Sequence, residues 1–120
     1  MWVCLNDGFL SIVEDFNDSN KLIVRSRTRR ALTNAFGEDI DIKENQGTDY
    51  DFRTTLDRNI VSEAIKKRID NIDYFNFKKS VEEKTLHDAY LEFWKIMLWY
   101  QLNDKKDGTE RFEIFDLHGM

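Results

Sequence analysis

The 120-residue chain has no proline, one cysteine, two histidines and five glycines. The single cysteine, Cys4, excludes an internal disulfide and favours a reducing compartment, so a cytoplasmic location is expected. His87 and His118 are isolated and share no ligand spacing with Cys4, which gives no basis for a metal site. The scattered glycines form no phosphate-binding loop. We therefore expect no metal and no cofactor.

Long apolar runs are also missing. No stretch is long enough to span a bilayer, and the segment MWVCLNDG lacks the basic region and the apolar length of a secretory signal. A net charge of -5 argues against bulk attraction to nucleic acid or to an anionic membrane. The length suits one domain with a real core. These features predict no membrane partner and disfavour nucleic acid as a partner.

The first third of the chain has the pattern of three antiparallel strands. Asp7 and Gly8 lie between two apolar runs and predict a hairpin in which Leu5 pairs with Leu10. Its alternation separates two faces, one with Val3, Leu5, Leu10 and Ile12 and the other with Trp2, Cys4, Phe9, Ser11 and Val13. The segment NDSN predicts a turn, and a third strand is expected from Lys21 to about Arg27.

The remaining elements alternate between helix and strand. A helix capped by Ser26 or Thr28 should end at Gly37, and the segments DIDIK and DYDFRTTL have strand patterns. A helix after Asp57 and a long helix from about Ser80 to Gln101 follow. The apolar stripes expected to be buried are Val61, Ala64, Ile65, Ile69 and Ile72 in the first of these, and Leu86, Tyr90, Phe93, Met97 and Tyr100 in the second.

This order, β-β-β-α-β-β-α-α, predicts an α+β fold. A small antiparallel sheet should carry helices on one face and end in the long C-terminal helix. We expect one domain over residues 1–102 and a charged tail over residues 103–120.

The segment LIVRSRTRR concentrates arginines in an acidic protein. Arg25 and Arg27 should share one face of the third strand, while Arg29 and Arg30 fall in the first helical turn. Together with Arg53 and Lys78 they suit a phosphate-ligand or nucleic-acid site. The alternative is an ion-paired polar face, in which Asp49 and Asp51 meet Arg25 and Arg27 while Tyr50 and Phe52 point to the core.

Ion pairing is the expectation for the strand arginines. Arg29 and Arg30 face the unfavourable end of the helix dipole, which favours a role in contact with a partner. The acidic run from Glu38 to Asp51 has two interpretations, a solvated face or an imitation of a phosphate backbone.

The long helix carries more apolar residues than one stripe needs. Leu91, Trp94 and Leu98 form a second line, and Trp99 lies further round. We expect these side chains to pack within the fold, because the segment IVSEAIKKRI supplies a partner helix. The alternative is contact with another molecule, in which case a protein partner or a homodimer would use Trp94, Leu98 and Trp99.

Several segments occur in an order that resembles a family of small, mostly uncharacterised bacterial proteins: MW, GFLSIVE, LIVRSR, TDYDFR, IDYFNFKKSV and YLEFWKIMLWYQ. The resemblance covers residues 1 to about 101 and implies a shared fold. The matching positions are Trp2, Gly8, Phe9, Ser11, Val13, Val24, Arg25, Arg27, Asp49, Tyr50, Arg53, Asn76, Phe77, Lys78, Tyr90 and Trp94. No activity comes with it. Size and acidity would also suit a phage-borne copy, and such genes often encode inhibitors of host defence, including anti-CRISPR proteins.

These features leave three candidate functions. The first is a non-enzymatic interaction module that binds another protein, with anti-CRISPR inhibition as its sharper form. The alternative is a phosphate-ligand or nucleic-acid binder through the arginines. An enzyme of unknown class, using the acidic residues, comes last because no catalytic constellation is evident.

Overall fold

The computed structural model describes residues 1–45 and 47–104, and their elements form the predicted α+β fold. The strands are β1 (Trp2–Leu5), β2 (Gly8–Glu14), β3 (Lys21–Ser26), β4 (Lys43–Glu44) and β5 (Phe52–Asp57). The helices are α1 (Arg29–Phe36), α2 (Arg58–Asp70), α3 (Phe77–Ser80) and α4 (Lys84–Asp104). The chain divides into two compact units, residues 1–77 and the chain from Lys78 onwards. The predicted single domain over residues 1–102 stays a prediction.

The first unit is built on an antiparallel sheet with the strand order β1-β2-β3-β5-β4. Strand alternation brings the apolar residues of the first three strands to one face, as expected. There Leu10 and Val24 are fully buried and form one cluster with Leu32 of α1 and Val61 of α2. Helices α1 and α2 therefore cover this face of the sheet.

The first hairpin has the predicted faces but a different register. Val3 pairs with Leu10 and Leu5 with Gly8, so Asn6 and Asp7 form the loop and the predicted Leu5–Leu10 pair is wrong. The shift is two residues, which leaves every side chain on its predicted face. Gly8 is needed for helix packing, since a Cβ there would lie 2.7 Å from the Cβ of Ala31 in α1.

Helix α1 begins and ends where the sequence predicts. Thr28 is the N-cap, and its hydroxyl accepts a hydrogen bond from the backbone N–H of Ala31 at 3.3 Å. Gly37 ends the helix with a positive φ of 90°, and its N–H bonds to the carbonyl of Thr33. These contacts satisfy backbone groups that the helix ends leave unpaired.

Two predicted strands are shorter than expected. Most of DIDIK is irregular and only Lys43 is in β4, although Ile40 and Ile42 pack against the core. Strand β5 begins at Phe52, so Asp49 to Asp51 lie in the preceding loop. Alternation of side chains in a sequence indicates a strand only where a neighbouring strand supplies hydrogen bonds, and pairing with β3 starts at Phe52.

The predicted buried stripe of α2 holds for its first half only. Val61 is buried and Ala64 and Ile65 are half-buried, whereas Ile69 is 62% and Ile72 is 51% exposed. The stripe prediction is therefore wrong for the last turn of α2 and the residues after it, which extend beyond the core cluster.

The second unit contains α4, which starts four residues later and ends three residues later than predicted. Its predicted stripe is partly wrong: Tyr90 is buried, but Phe93, Met97 and Tyr100 are exposed. A helix with apolar residues on most of its circumference does not reveal its covered side from periodicity. Among the described helices, none is long and apolar enough to cross a membrane. Apart from Asn103 and Asp104, the predicted tail lies outside the described residues.

Candidate anion-binding site

The face of the sheet opposite α1 and α2 carries a row of directly paired residues, one from each strand. Trp2 pairs with Ser11, Ser11 with Arg25, Arg25 with Arg53, and Arg53 with Lys43. Directly opposed residues in antiparallel strands share a face. Three neighbouring positions of this row, Arg25, Arg53 and Lys43, are cationic. We call Arg25, Arg53 and the nearby Arg27, which lies outside the row, the arginine cluster.

Arg25 is held from the side of β2. Its Nη2 donates a hydrogen bond to the Ser11 hydroxyl at 2.7 Å, and Ser11 is almost fully buried on this face. The carbon of the Arg25 guanidinium lies 4.9 Å from the centre of the Tyr50 ring. Both contacts fix the orientation of the guanidinium without neutralising its charge.

Arg27 follows the end of β3 and projects to the same side. Its guanidinium carbon lies 4.0 Å from the centre of the Tyr50 ring, and Nη1 donates to the backbone carbonyl of Asp49. Tyr50 itself is 5% exposed. A buried aromatic ring beside two guanidinium groups orients both through cation–π attraction.

Arg53 is held by the loop that precedes β5. Its Nη2 donates to the Thr48 hydroxyl at 2.9 Å, and that hydroxyl in turn donates to the carbonyl of Tyr50 at 3.0 Å. The loop therefore ties the position of Arg53 to that of the Tyr50 ring.

The predicted ion pairs between these arginines and Asp49 or Asp51 are wrong. Arg25, Arg27 and Arg53 share one side as predicted, but across residues 1–45 and 47–104 none has a carboxylate oxygen within 4.0 Å. Asp49 and Asp51 precede the strand, so strand alternation does not direct their side chains at β3. Tyr50 occupies the place beside the arginines and does not belong to the hydrophobic core cluster.

The cluster retains unused hydrogen-bond donors. The Nε atoms of Arg25 and Arg53 are buried and have no acceptor within the described part of the chain. Leaving such a donor buried without a partner costs about 1–3 kcal/mol, and like charges directly opposed across a sheet repel each other. An anion beside the guanidinium groups would reduce this repulsion, because guanidinium groups bind phosphate and carboxylate oxygens in a two-pronged geometry.

The helix arginines behave differently from the cluster. Arg29 is paired with Glu44, and Arg30 also has a contact. The expectation that both are more available to a partner than the strand arginines is therefore wrong for Arg29 and unsupported for Arg30. Together with Arg27 they line an open cleft of about 530 Å³ at the start of α1.

The predicted residues of the long helix lie in the second unit. Trp94 is 46% exposed, and the Lys78 ammonium lies 4.2 Å from its ring centre. Leu98 and Trp99 are half-buried. Besides Trp94, the large exposed apolar side chains of α4 are Phe93, Met97 and Tyr100.

Sequence reasoning missed the residues that organise the cluster. The alternation of the sequence places Tyr50 in the core, and it does not indicate the roles of Ser11 and Thr48. The registers between β2, β3 and β5 determine these contacts, and a single sequence shows no direct signal for register between strands that are distant in the chain. Predicting that Tyr50 lies beside Arg25 and Arg27 would have required the correct start of β5 at Phe52, which places Tyr50 in the preceding loop.

The described part of the chain offers little support for metal binding or for a reactive thiol. No group of three or more His, Cys, Asp or Glu side chains is placed to hold a metal ion among those residues. Burial raises the pKa of the Cys4 thiol, which disfavours the reactive thiolate. No protein-family model, curated protein or solved structure matches the chain.

Proposed function

We propose that this protein is a non-enzymatic binding module for a phosphate-bearing ligand, held by Arg25, Arg27 and Arg53. The observation that supports this proposal is the direct opposition of Arg25 and Arg53 on the sheet. Among residues 1–45 and 47–104, their buried Nε donors have no acceptor, and neither guanidinium group has a carboxylate oxygen within 4.0 Å. The Asp49 carbonyl and the hydroxyls of Ser11 and Thr48 hold these arginines without neutralising them, so the cluster keeps its positive charge within a protein of net charge -5.

Phosphate suits the cluster better than a carboxylate does. The guanidinium groups of Arg25 and Arg27 lie beside the Tyr50 ring, and Arg53 is directly opposite Arg25 on the sheet. A phosphate group offers oxygens to several donors at once. Contacts with the Tyr50 ring and bonds to the Ser11 hydroxyl, the Thr48 hydroxyl and the Asp49 carbonyl hold all three groups in place before binding. Such preorganisation lowers the entropic cost of binding.

Calorimetric titration of inorganic phosphate and pyrophosphate at low ionic strength tests the proposal. Saturable binding is expected, and it should weaken as sodium chloride is added. Arg25→Gln and Arg53→Gln should each weaken binding about tenfold to a hundredfold, since a hydrogen bond to a charged group contributes about 1.5–3 kcal/mol.

Lys67→Gln is the matched control, because it removes the same charge from an exposed position on α2. This variant should bind as the wild type does. Absence of binding by the wild type would refute the proposal, and so would equal losses in Arg53→Gln and Lys67→Gln, which would indicate a response to total charge only.

A second candidate function, binding to another protein, is supported by the exposed apolar stripe of α4. Phe93, Met97 and Tyr100 are 38%, 45% and 57% exposed and recur at helical spacing. Exposed stripes of this kind suit a helix or a groove on a partner. Inhibition of host defence, the sharper form of this function, is supported by size and composition alone.

Substitution on α4 tests the second candidate. Phe93→Asp with Met97→Asp should abolish recovery of a stoichiometric partner that the wild type captures from a bacterial lysate, and the purified partner should bind only the wild type. Exposed Lys84→Asp on the same helix is the control. Equal recovery by wild type and the double variant would exclude the stripe as the interface.

A further inference from the structure

We propose that the phosphate group bound by the arginine cluster belongs to a nucleotide, whose base stacks on Trp2. This inference rests on the proposed function and extends it to the aromatic end of the same row. The cationic residues occupy β3, β5 and β4, and Trp2 occupies β1 at the other end.

The spacing within the row suits a ligand that has an aromatic and an anionic end. Trp2 and Arg25 are separated by one strand, on which their common neighbour is Ser11. Adjacent strands are about 4.8 Å apart, so the two positions lie about 10 Å from each other on one face. A sugar and a phosphate linkage bridge a gap of this size between a base and a phosphate group.

The indole of Trp2 is available for stacking. Trp2 is 66% exposed, although its neighbour Ser11 is almost fully buried. Its ring contacts Phe9 edge-on, with ring centres 5.9 Å apart and an angle of 67° between the planes. This contact supports the indole from one side, while its large exposed area leaves room for a base.

A mononucleotide fits the charge distribution better than a nucleic acid strand does. A strand needs cations along its backbone, whereas the cations on this face are concentrated at one end of the row and the protein is acidic overall. Tyr50 is buried beside the arginines and offers no second stacking platform. A mononucleotide has one base for Trp2 and one short phosphate group for the arginine cluster.

The test compares adenosine diphosphate, inorganic pyrophosphate and a short oligodeoxyadenylate by calorimetry. Adenosine diphosphate should bind at least about tenfold more tightly than pyrophosphate, since stacking of one base on an aromatic side chain contributes about that factor or more. Trp2→Leu should abolish this difference and leave the affinity for pyrophosphate unchanged. Phe16→Leu is the control, because Phe16 is fully exposed in the turn after β2 and lies outside the row.

The outcomes separate this inference from the proposed function. Equal affinity for the diphosphate and pyrophosphate, with no effect of Trp2→Leu, would overturn base recognition and leave the anion site standing. Binding of none of the three ligands would overturn both. Binding of the oligonucleotide at least tenfold more tightly than the diphosphate, with a steep salt dependence, would replace the nucleotide by single-stranded nucleic acid.

Discussion

Tyr50 shows how one side chain organises several charges. Its ring lies beside two guanidinium groups, and its hydroxyl group is not needed for that contact. We therefore expect Tyr50→Phe to bind pyrophosphate within about threefold of the wild type. Tyr50→Leu keeps an apolar side chain but removes the cation–π attraction, about 0.5–2 kcal/mol at each arginine, and should bind at least tenfold more weakly.

Calorimetric affinities of the two variants, with urea unfolding of each to verify the fold, provide the measurement. An equal loss of affinity in Tyr50→Phe and Tyr50→Leu would show that the hydroxyl, and not the ring, is the important group.

Arg53 should stabilise the bound state and destabilise the free one. In the free protein it faces Arg25 across the sheet, so Arg53→Met should raise the free energy of unfolding by about 0.2–1 kcal/mol at low salt. The gain should shrink as salt screens the repulsion. The same variant should bind phosphate about tenfold to a hundredfold more weakly. A destabilised Arg53→Met protein would show that the bond to Thr48 outweighs the repulsion.

At the scale of elements, Gly8 sets the approach of α1 to the sheet. A methyl group there would meet both Cα and Cβ of Ala31, at 2.8 Å and 2.7 Å. Gly8→Ala should therefore lower the free energy of unfolding by about 1–3 kcal/mol in urea titrations. Adding Ala31→Gly removes one of the two clashes and should recover part of the loss, after allowance for the lower helix propensity of glycine.

The elements also show which features a single sequence can predict. Thr28 and Gly37 mark the ends of α1 because capping is local chemistry. The faces of β1 and β2 were predicted despite an incorrect register, since a two-residue shift preserves alternation. Pairing between β3 and β5 joins distant segments, so the start of β5, and with it the place of Tyr50, could not be predicted.

Helix α4 shows that helical periodicity alone does not identify the buried side of an apolar helix. Its apolar residues occupy most of the circumference, so more than one stripe satisfies helical periodicity. The exposed positions include three of the five residues predicted to be buried. Only the packing around a helix decides between such stripes, and packing depends on contacts that sequence spacing does not encode.

At the scale of the whole molecule, ligand binding can show which residues unfold cooperatively with the arginine cluster. A ligand that binds only the folded state, at a concentration 100 times its Kd, adds about 2.7 kcal/mol to the free energy of unfolding. Hydrogen exchange with and without saturating pyrophosphate therefore reports which residues unfold together with the site. The most protected amides of β3 and β5 should exchange about a hundredfold more slowly with the ligand.

The sequence predicts one domain over residues 1–102, and a single cooperative domain requires the same slowing for the most protected amides of α4. That is the expected outcome. The Arg53→Gln variant, measured at the same ligand concentration, is the control: because its affinity should be about tenfold to a hundredfold lower, the slowing should fall to between about tenfold and twofold in both elements. Slowing confined to residues 1–77 in the wild type would contradict the one-domain prediction, because it would make the sheet and its two covering helices a cooperative unit that unfolds independently of α4.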